Sequence, residues 1–198
     1  MKNLSLTFIL IALLLQTVLA QNSQKNKIEG ARIEVDYQKL GLLKNTDNFS
    51  FIQKVDSIII LYKYFTVTKK LDCTSEDVSI YKKNNIVVYN NSCCYFIGIK
   101  NDRYAIFDEG TSNTRGLMVY DLLEEREVLN LVYYLDLKIE NNSIYFDAEV
   151  KIKDENLKPK CPPEIEDIPY KIYLEKQYFS FQDLKVIHTG IYTCSFVE

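Results

Sequence analysis

Residues 135–152 read Leu135-Asp136-Leu137-Lys138-Ile139-Glu140-Asn141-Asn142-Ser143-Ile144-Tyr145-Phe146-Asp147-Ala148-Glu149-Val150-Lys151-Ile152. Apolar side chains alternate with polar ones on both sides of Asn141-Asn142-Ser143. Successive side chains of a strand point to opposite faces, so such a run buries one face and leaves the other in water. The Asn-Asn-Ser interruption offers residues that accept the backbone of a tight turn. The stretch reads as an antiparallel hairpin, and it sets the expected fold class as all-β.

Working outward, the preceding segment is Gly116-Leu-Met-Val-Tyr-Asp-Leu-Leu-Glu-Glu-Arg-Glu-Val-Leu129. It has two readings. Asp121 followed by Glu124 has the spacing of a helix cap, which would put Leu122, Leu123, Leu129 and Val132 on one face. Alternatively the chain turns at Glu124-Glu125-Arg126, and 117–122 pairs with 128–134. The β-formers on both flanks favour the hairpin. Residues 103–129 resemble a blade of a β-propeller: an Asp closes a strand, an acidic-basic turn follows and a short apolar strand returns. The Gly-His and Trp-Asp signatures of such blades are absent, so the resemblance implies an antiparallel meander and carries no activity.

Further upstream, 57–67 is β-branched and aromatic almost throughout and reads as one long strand. Residues 78–81 and 86–89 read as a hairpin around 82–85. Residues 95–99 and 103–107 read as another, turning at Lys100-Asn101-Asp102. Downstream, 154–169 holds every proline of the chain and reads as a connection, since proline cannot donate to a central ladder. Strands resume at 170–174 and around Phe179 and Phe181. Thr189-Gly190 reads as the turn of a final hairpin. About nine to twelve short strands result. They are expected in a single domain, 31–198, as an antiparallel meander, a sandwich or a flattened barrel, with room for one short helix.

The first twenty residues have another role. Lys2 precedes an apolar run, 4–15, and Val18-Leu19-Ala20 ends it with small or modest side chains. This is the pattern of a secretory signal cleaved after Ala20. The run is shorter than the roughly 20 residues of a bilayer-spanning helix, so no membrane span is expected in the mature chain. Gln21 at the new terminus gives no site for lipid attachment. Residues 21–30 are polar and form a flexible lead-in. The expected localisation is exported, periplasmic or secreted.

In an exported chain, cysteines are read as disulfides. Cys161 and Cys194, both in the C-terminal third, are expected to pair. Cys73 is expected to pair with Cys93 or Cys94, only one of which easily faces a given partner on a strand. There is no Cys-x-x-Cys and only one histidine, so no metal site is expected. Basic and acidic residues number 24 and 27, for a net charge of −3. They are interspersed, which argues against nucleic acid as a partner, because that binding rests on clustered Lys and Arg.

Catalytic signals are sparse. The Gly-x-Ser-x-Gly elbow of α/β hydrolases is absent. His188, beside the predicted Thr189-Gly190 turn, has the chemistry of a general base. Asp136, Glu140, Asp147 and Glu149 fall on the water face of alternating strands, where solubility is their ordinary role. Glu164, Glu166 and Asp167 lack the spacing of a calcium loop. No cofactor or catalytic set is assigned. The segment that reads most like a site is the polar loop 108–116, which presents Asp108, Glu109, Thr111, Ser112, Asn113 and Arg115 on a rigid sheet. Three Asn-x-Ser sequons of the expected mature chain begin at Asn48, Asn90 and Asn141. The expected function is a non-enzymatic exported module that binds a protein or glycan at the cell envelope or in the extracellular space. A small hydrolase of extracellular polymers and a disulfide-stapled enzyme inhibitor are the alternatives.

Overall fold

Eleven antiparallel strands follow one another in sheet order as they do in sequence. The computed structural model describes residues 42–54, 57–71, 76–110, 114–166 and 168–196. All of these belong to one unit, Tyr37–Glu198. The expected signal segment and lead-in, Cys73, Thr111, Ser112, Asn113 and Asp167 lie outside the described residues, as does the side chain of Cys93.

The strands are β1 (Ser50–Gln53), β2 (Ser57–Leu61), β3 (Phe65–Leu71), β4 (Glu76–Lys82), β5 (Val87–Lys100) and β6 (Tyr104–Glu109), then β7 (Thr114–Asp121), β8 (Arg126–Glu140), β9 (Ser143–Glu149), β10 (Lys171–Ser180) and β11 (Lys185–Phe196). Each pairs with its neighbour in sequence, so the fold is an open all-β meander. A one-turn 3-10 segment (Glu155–Leu157) and a short helix α1 (Pro163–Glu166) lie in the proline-rich connection. Among the described residues no helix is long and apolar enough to cross a membrane.

Two long strands change partners along their length. The first part of β5, up to Cys94, pairs with β4, and Tyr95 onward pairs with β6. In β8, Arg126 to Tyr134 pair with β7, while Tyr134 and then Lys138 to Glu140 pair with β9. Where β5 leaves β4, the N–H and carbonyl of Phe96 lose their ladder partners. Two buried side chains replace them: Glu76 accepts the Phe96 N–H at 3.1 Å, and the Lys69 ammonium donates to the Phe96 carbonyl at 3.2 Å. Lys69 and Glu76 are themselves 2.8 Å apart. Burial pushes the Lys69 amine down, against the pull of Glu76.

β6 is buried from Tyr104 to Asp108 because both of its faces are covered. Ile106 joins the main core with Ile97, Leu117, Val119, Ile144 and Phe179. Phe107 faces the other way, stacked on Tyr89 at 4.5 Å and edge-on to Phe96 at 5.7 Å. The 135–152 pattern holds in the core: Ile139, Ile144 and Phe146 are buried, with Leu137 and Ala148 packed against them. Glu140 pairs with Ser143 across the Asn141-Asn142 turn, and Asn141 has φ 50°.

The segment 121–134 is a hairpin. Asp121 does cap, but it caps the turn: its Oδ1 accepts the N–H groups of Leu123 and Glu124 at 3.0 and 3.2 Å. The blade-like stretch is thus three consecutive strands of the meander, β6 to β8.

Two sequence readings are corrected. Residues 57–67 are two strands, because the chain turns at Tyr62-Lys63-Tyr64 and the Tyr62 N–H donates to the Phe65 carbonyl at 2.9 Å. That turn contains no Gly, Pro, Asn or Asp, so no local signal marks it. Thr189-Gly190 is not a turn but a bulge inside β11. Glu175 pairs with Tyr192 and Gln177 with His188, so 189–191 stand opposite Lys176 alone. The actual turn lies at 181–184, where Ser180 Oγ accepts the Asp183 N–H at 3.2 Å.

Cys161 and Cys194 form a disulfide with Cα atoms 5.4 Å apart. It ties the proline-rich connection to the edge strand β11. Cys94 is buried, its Sγ 3.5 Å from the Tyr89 hydroxyl.

Candidate functional site

The outward face of β8–β11 carries a cleft of about 380 Å³. β8 contributes Lys138 and Glu140, and β9 contributes Tyr145, Phe146 and Asp147. β10 supplies Lys176 and Gln177, while Thr189 and Ile191 come from the β11 bulge. Strand register explains the grouping. Lys138 pairs with Tyr145, and Tyr145 with Tyr178. Two pairs further along, and so on the same face, Asp147 stands opposite Lys176. Sequence separations of dozens of residues thereby collapse onto neighbouring rows of one sheet face.

The chemistry of the cleft is mixed. Tyr145 is exposed and leans on Tyr178, with ring centroids 5.3 Å apart, which leaves an aromatic surface for a ligand. Around it stand two cations, Lys138 and Lys176, and two carboxylates, Glu140 and Asp147. Their charges cancel. Lys138 and Glu140 are ion-paired at 2.5 Å on the wall. An apolar platform with convergent donors and acceptors is the usual make-up of a small-ligand site.

The bulge that delivers Thr189 and Ile191 is held from the inner face of the sheet. Glu175 is buried, and its Oε1 accepts the Gly190 N–H at 2.9 Å. Its Oε2 meets His188 Nδ1 at 2.7 Å and accepts from Gln177 Nε2 at 3.0 Å. Burial alone would raise this carboxyl, but the hydrogen bonds from His188, Gly190 and Gln177 outweigh it and hold it below the usual carboxylate range. Thr189 Oγ1 donates to the Lys176 carbonyl at 2.5 Å, which closes the bulge against β10.

The exposed His188 is therefore oriented by a buried carboxylate. That arrangement leaves its other ring nitrogen available as a base. His188 is not a lining residue of the cleft, although Gln177, its partner on β10, is.

The polar loop is built differently from its sequence. Asp108 belongs to β6 and Arg115 to β7. Asp108 is buried and accepts hydrogen bonds from Arg115 Nε at 2.9 Å and the Tyr133 hydroxyl at 3.0 Å. A second Arg115 nitrogen bonds its other oxygen. Burial pushes this carboxyl up, against the pull of Arg115 and Tyr133. The loop's two strongest charges thus brace β6 against β7 and β8, and Glu109 packs on Gly116.

Comparison with protein-family models, curated protein sequences and solved structures finds no match for the chain.

Sequence reasoning assigned Glu140 and Asp147 to the water face, which is where they are, and stopped at solubility. Tyr145, Lys176 and Thr189 carried no signal of their own. The one available hint was Thr189-Gly190, an irregularity in an otherwise β-rich run.

Proposed function

We propose that the mature chain is an exported, non-enzymatic binding module that holds a glycan of the cell envelope or extracellular space in the cleft on β8–β11. The cleft chemistry carries this reading. Sugars present both a C–H face, which lies on an aromatic ring, and a fringe of hydroxyls that donate and accept. Tyr145 suits the first, and Lys138, Asp147, Lys176 and Thr189 suit the second. The cancelling charges favour a neutral ligand over a polyanion or polycation. Export is supported by the leader pattern of residues 1–20 and by the Cys161–Cys194 disulfide, which persists in oxidising compartments.

The test is binding of the secreted chain to an array of neutral and charged polysaccharides, repeated with Tyr145→Ala and Tyr145→Phe. Retention of a neutral glycan is expected, about tenfold weaker for the alanine variant and nearly unchanged for phenylalanine, which keeps the ring. Failure to retain any glycan, or equal binding by Tyr145→Ala, overturns the reading.

A small hydrolase acting on extracellular polymers is a second reading, favoured by the Glu175–His188 pair. It requires a nucleophile or second carboxylate within reach of the free His188 nitrogen. Release of reducing ends from the retained glycan, abolished in His188→Gln, would establish it over simple binding.

A further inference from the structure

A second cavity of about 570 Å³ lies at the turn end of the same sheet region, lined by Asn45, Thr46, Lys100, Glu140 and Asn141. Glu140 lines this cavity and the cleft alike. The geometry points to one continuous groove with two subsites joined at Glu140, whose ligand is an extended oligosaccharide segment rather than a single sugar. This rests on the saccharide reading of the cleft and adds the length of the ligand and its second anchor.

The turn-end subsite is preformed. Residues 43–47 cross between β5 and β8, where the Leu43 and Asp47 N–H groups donate to the carbonyls of Ile97 and Ile99 at 3.0 and 2.7 Å. Asn45 Nδ2 donates to the Ile139 carbonyl at 2.8 Å, and Lys100 Nζ donates to the Asn45 carbonyl at 2.9 Å. Thr46 Oγ1 bonds the Leu43 carbonyl at 3.1 Å. A wall fixed in this way loses little freedom when a ligand arrives, which favours affinity.

The two subsites differ in a way that suits a chain. The cleft offers the ring of Tyr145 and the apolar Ile191; the turn-end cavity is lined by amides, a hydroxyl, one cation and one carboxylate. One sugar stacks on the ring, while its neighbour along the chain is held through hydroxyls alone. Lys100 adds one cation to the balanced charges of the cleft, and Glu140 is shared by the two subsites, so the groove is lined by charges of both signs with Lys100 as the extra donor at the turn end. Together the cavities offer more room than either alone, within the range of sites that enclose a sizeable ligand.

The experiment titrates the full chain, produced through a secretory route so that the disulfide forms, with chito-oligosaccharides and β-1,3-glucan oligosaccharides from disaccharide to hexasaccharide. The variants are Tyr145→Ala in the cleft and Asn141→Gly at the turn end. Glycine accepts the positive φ of Asn141 and removes only its side chain. Lys100→Ala serves as a second turn-end variant, and circular dichroism checks that each variant is folded. The expected result is affinity that rises about tenfold from disaccharide to the longer chains. Asn141→Gly and Lys100→Ala should erase that gain and leave the disaccharide affinity unchanged, while Tyr145→Ala weakens every length. Equal affinity for all lengths with Tyr145 still required overturns the second subsite and leaves the cleft standing. No binding by any member of either series overturns the saccharide reading itself, and the groove with it.

Discussion

The Lys69–Glu76 pair gives a prediction that separates a structural ion pair from an incidental one. Lys69 is fully buried and Glu76 nearly so, and together they serve the backbone of Phe96 where β5 exchanges β4 for β6. Removing one partner strands the other charge in the interior, a loss of about 3–5 kcal/mol. In urea that corresponds to a midpoint lower by about 2 M. The two single variants should differ in pH dependence. In Glu76→Gln, Lys69 keeps the burial that lowers its amine and loses the carboxylate that opposed it. A folded pKa depressed below the unfolded value of about 10.4 gives stability that is present above that value and lost as pH falls. The Glu76→Gln deficit should therefore shrink on going from pH 7 to pH 10. In Lys69→Met the stranded group is a buried acid, whose neutral form the interior favours, so that deficit should shrink toward acid. The double variant carries no buried charge, and its Gln oxygen still accepts the Phe96 N–H. The Phe96 carbonyl loses its Lys69 partner, a cost of about 1–3 kcal/mol, so the double variant should be more stable than either single one. Urea unfolding followed by far-UV circular dichroism across that pH range measures all three. pH slopes of the same sign in the two single variants, or losses that simply add in the double variant, would refute the reasoning.

Replacing Cys161 and Cys194 by serine opens a loop of sequence separation 33. Chain entropy puts the loss at about 3–4 kcal/mol, which thermal unfolding should register as a Tm lower by about 10 °C. The glycines divide by environment. At Gly190, φ is +70° and a Cβ would meet nothing within 4 Å, so Gly190→Ala should cost only the left-handed backbone, about 1–2 kcal/mol. Gly98 also has positive φ, and a Cβ there runs into the Thr46 side chain, which itself pins the segment 43–47. Gly98→Ala should therefore be much the more damaging of the two in chemical denaturation, and equal losses would contradict the packing described.

Much of the fold was legible because local pattern and global packing agree. The 135–152 alternation matches the faces that Ile139, Ile144 and Phe146 bury. The Lys100-Asn101-Asp102 turn matches two residues with positive φ, Asn101 and Asp102. Errors arose where tertiary contacts replace local signals. Tyr62-Lys63-Tyr64 turns without turn residues because Ile60, Phe65 and Val67 are all buried when the chain reverses there. Thr189-Gly190 looks like a turn because it has turn chemistry. Its backbone is instead captured by Glu175, a residue of the neighbouring strand, and the disulfide at Cys194 ties down the same strand beyond the bulge.

The same logic decides what could be known of a site. Asp108 and Arg115 look like a recognition pair in sequence because both are charged and close. They are close because β6 and β7 are adjacent, and that proximity lets them neutralise each other around Tyr133 instead of facing a ligand. The cleft has the opposite character. Lys138, Tyr145, Lys176 and Thr189 are spread over four strands, and each, taken singly, is an ordinary solvated residue. They become a site only through register: Lys138 beside Tyr145, Asp147 beside Lys176, and a bulge that places two more side chains at the rim. In an open meander every strand contributes to the outward face with a period of two, so polar residues on that face are assigned to solubility by default. What distinguishes the β8–β11 face is the irregularity beneath it. A buried carboxylate holds the edge strand out of regular pairing there, so that 189–191 all stand opposite Lys176, beside the row of Asp147 and Lys176.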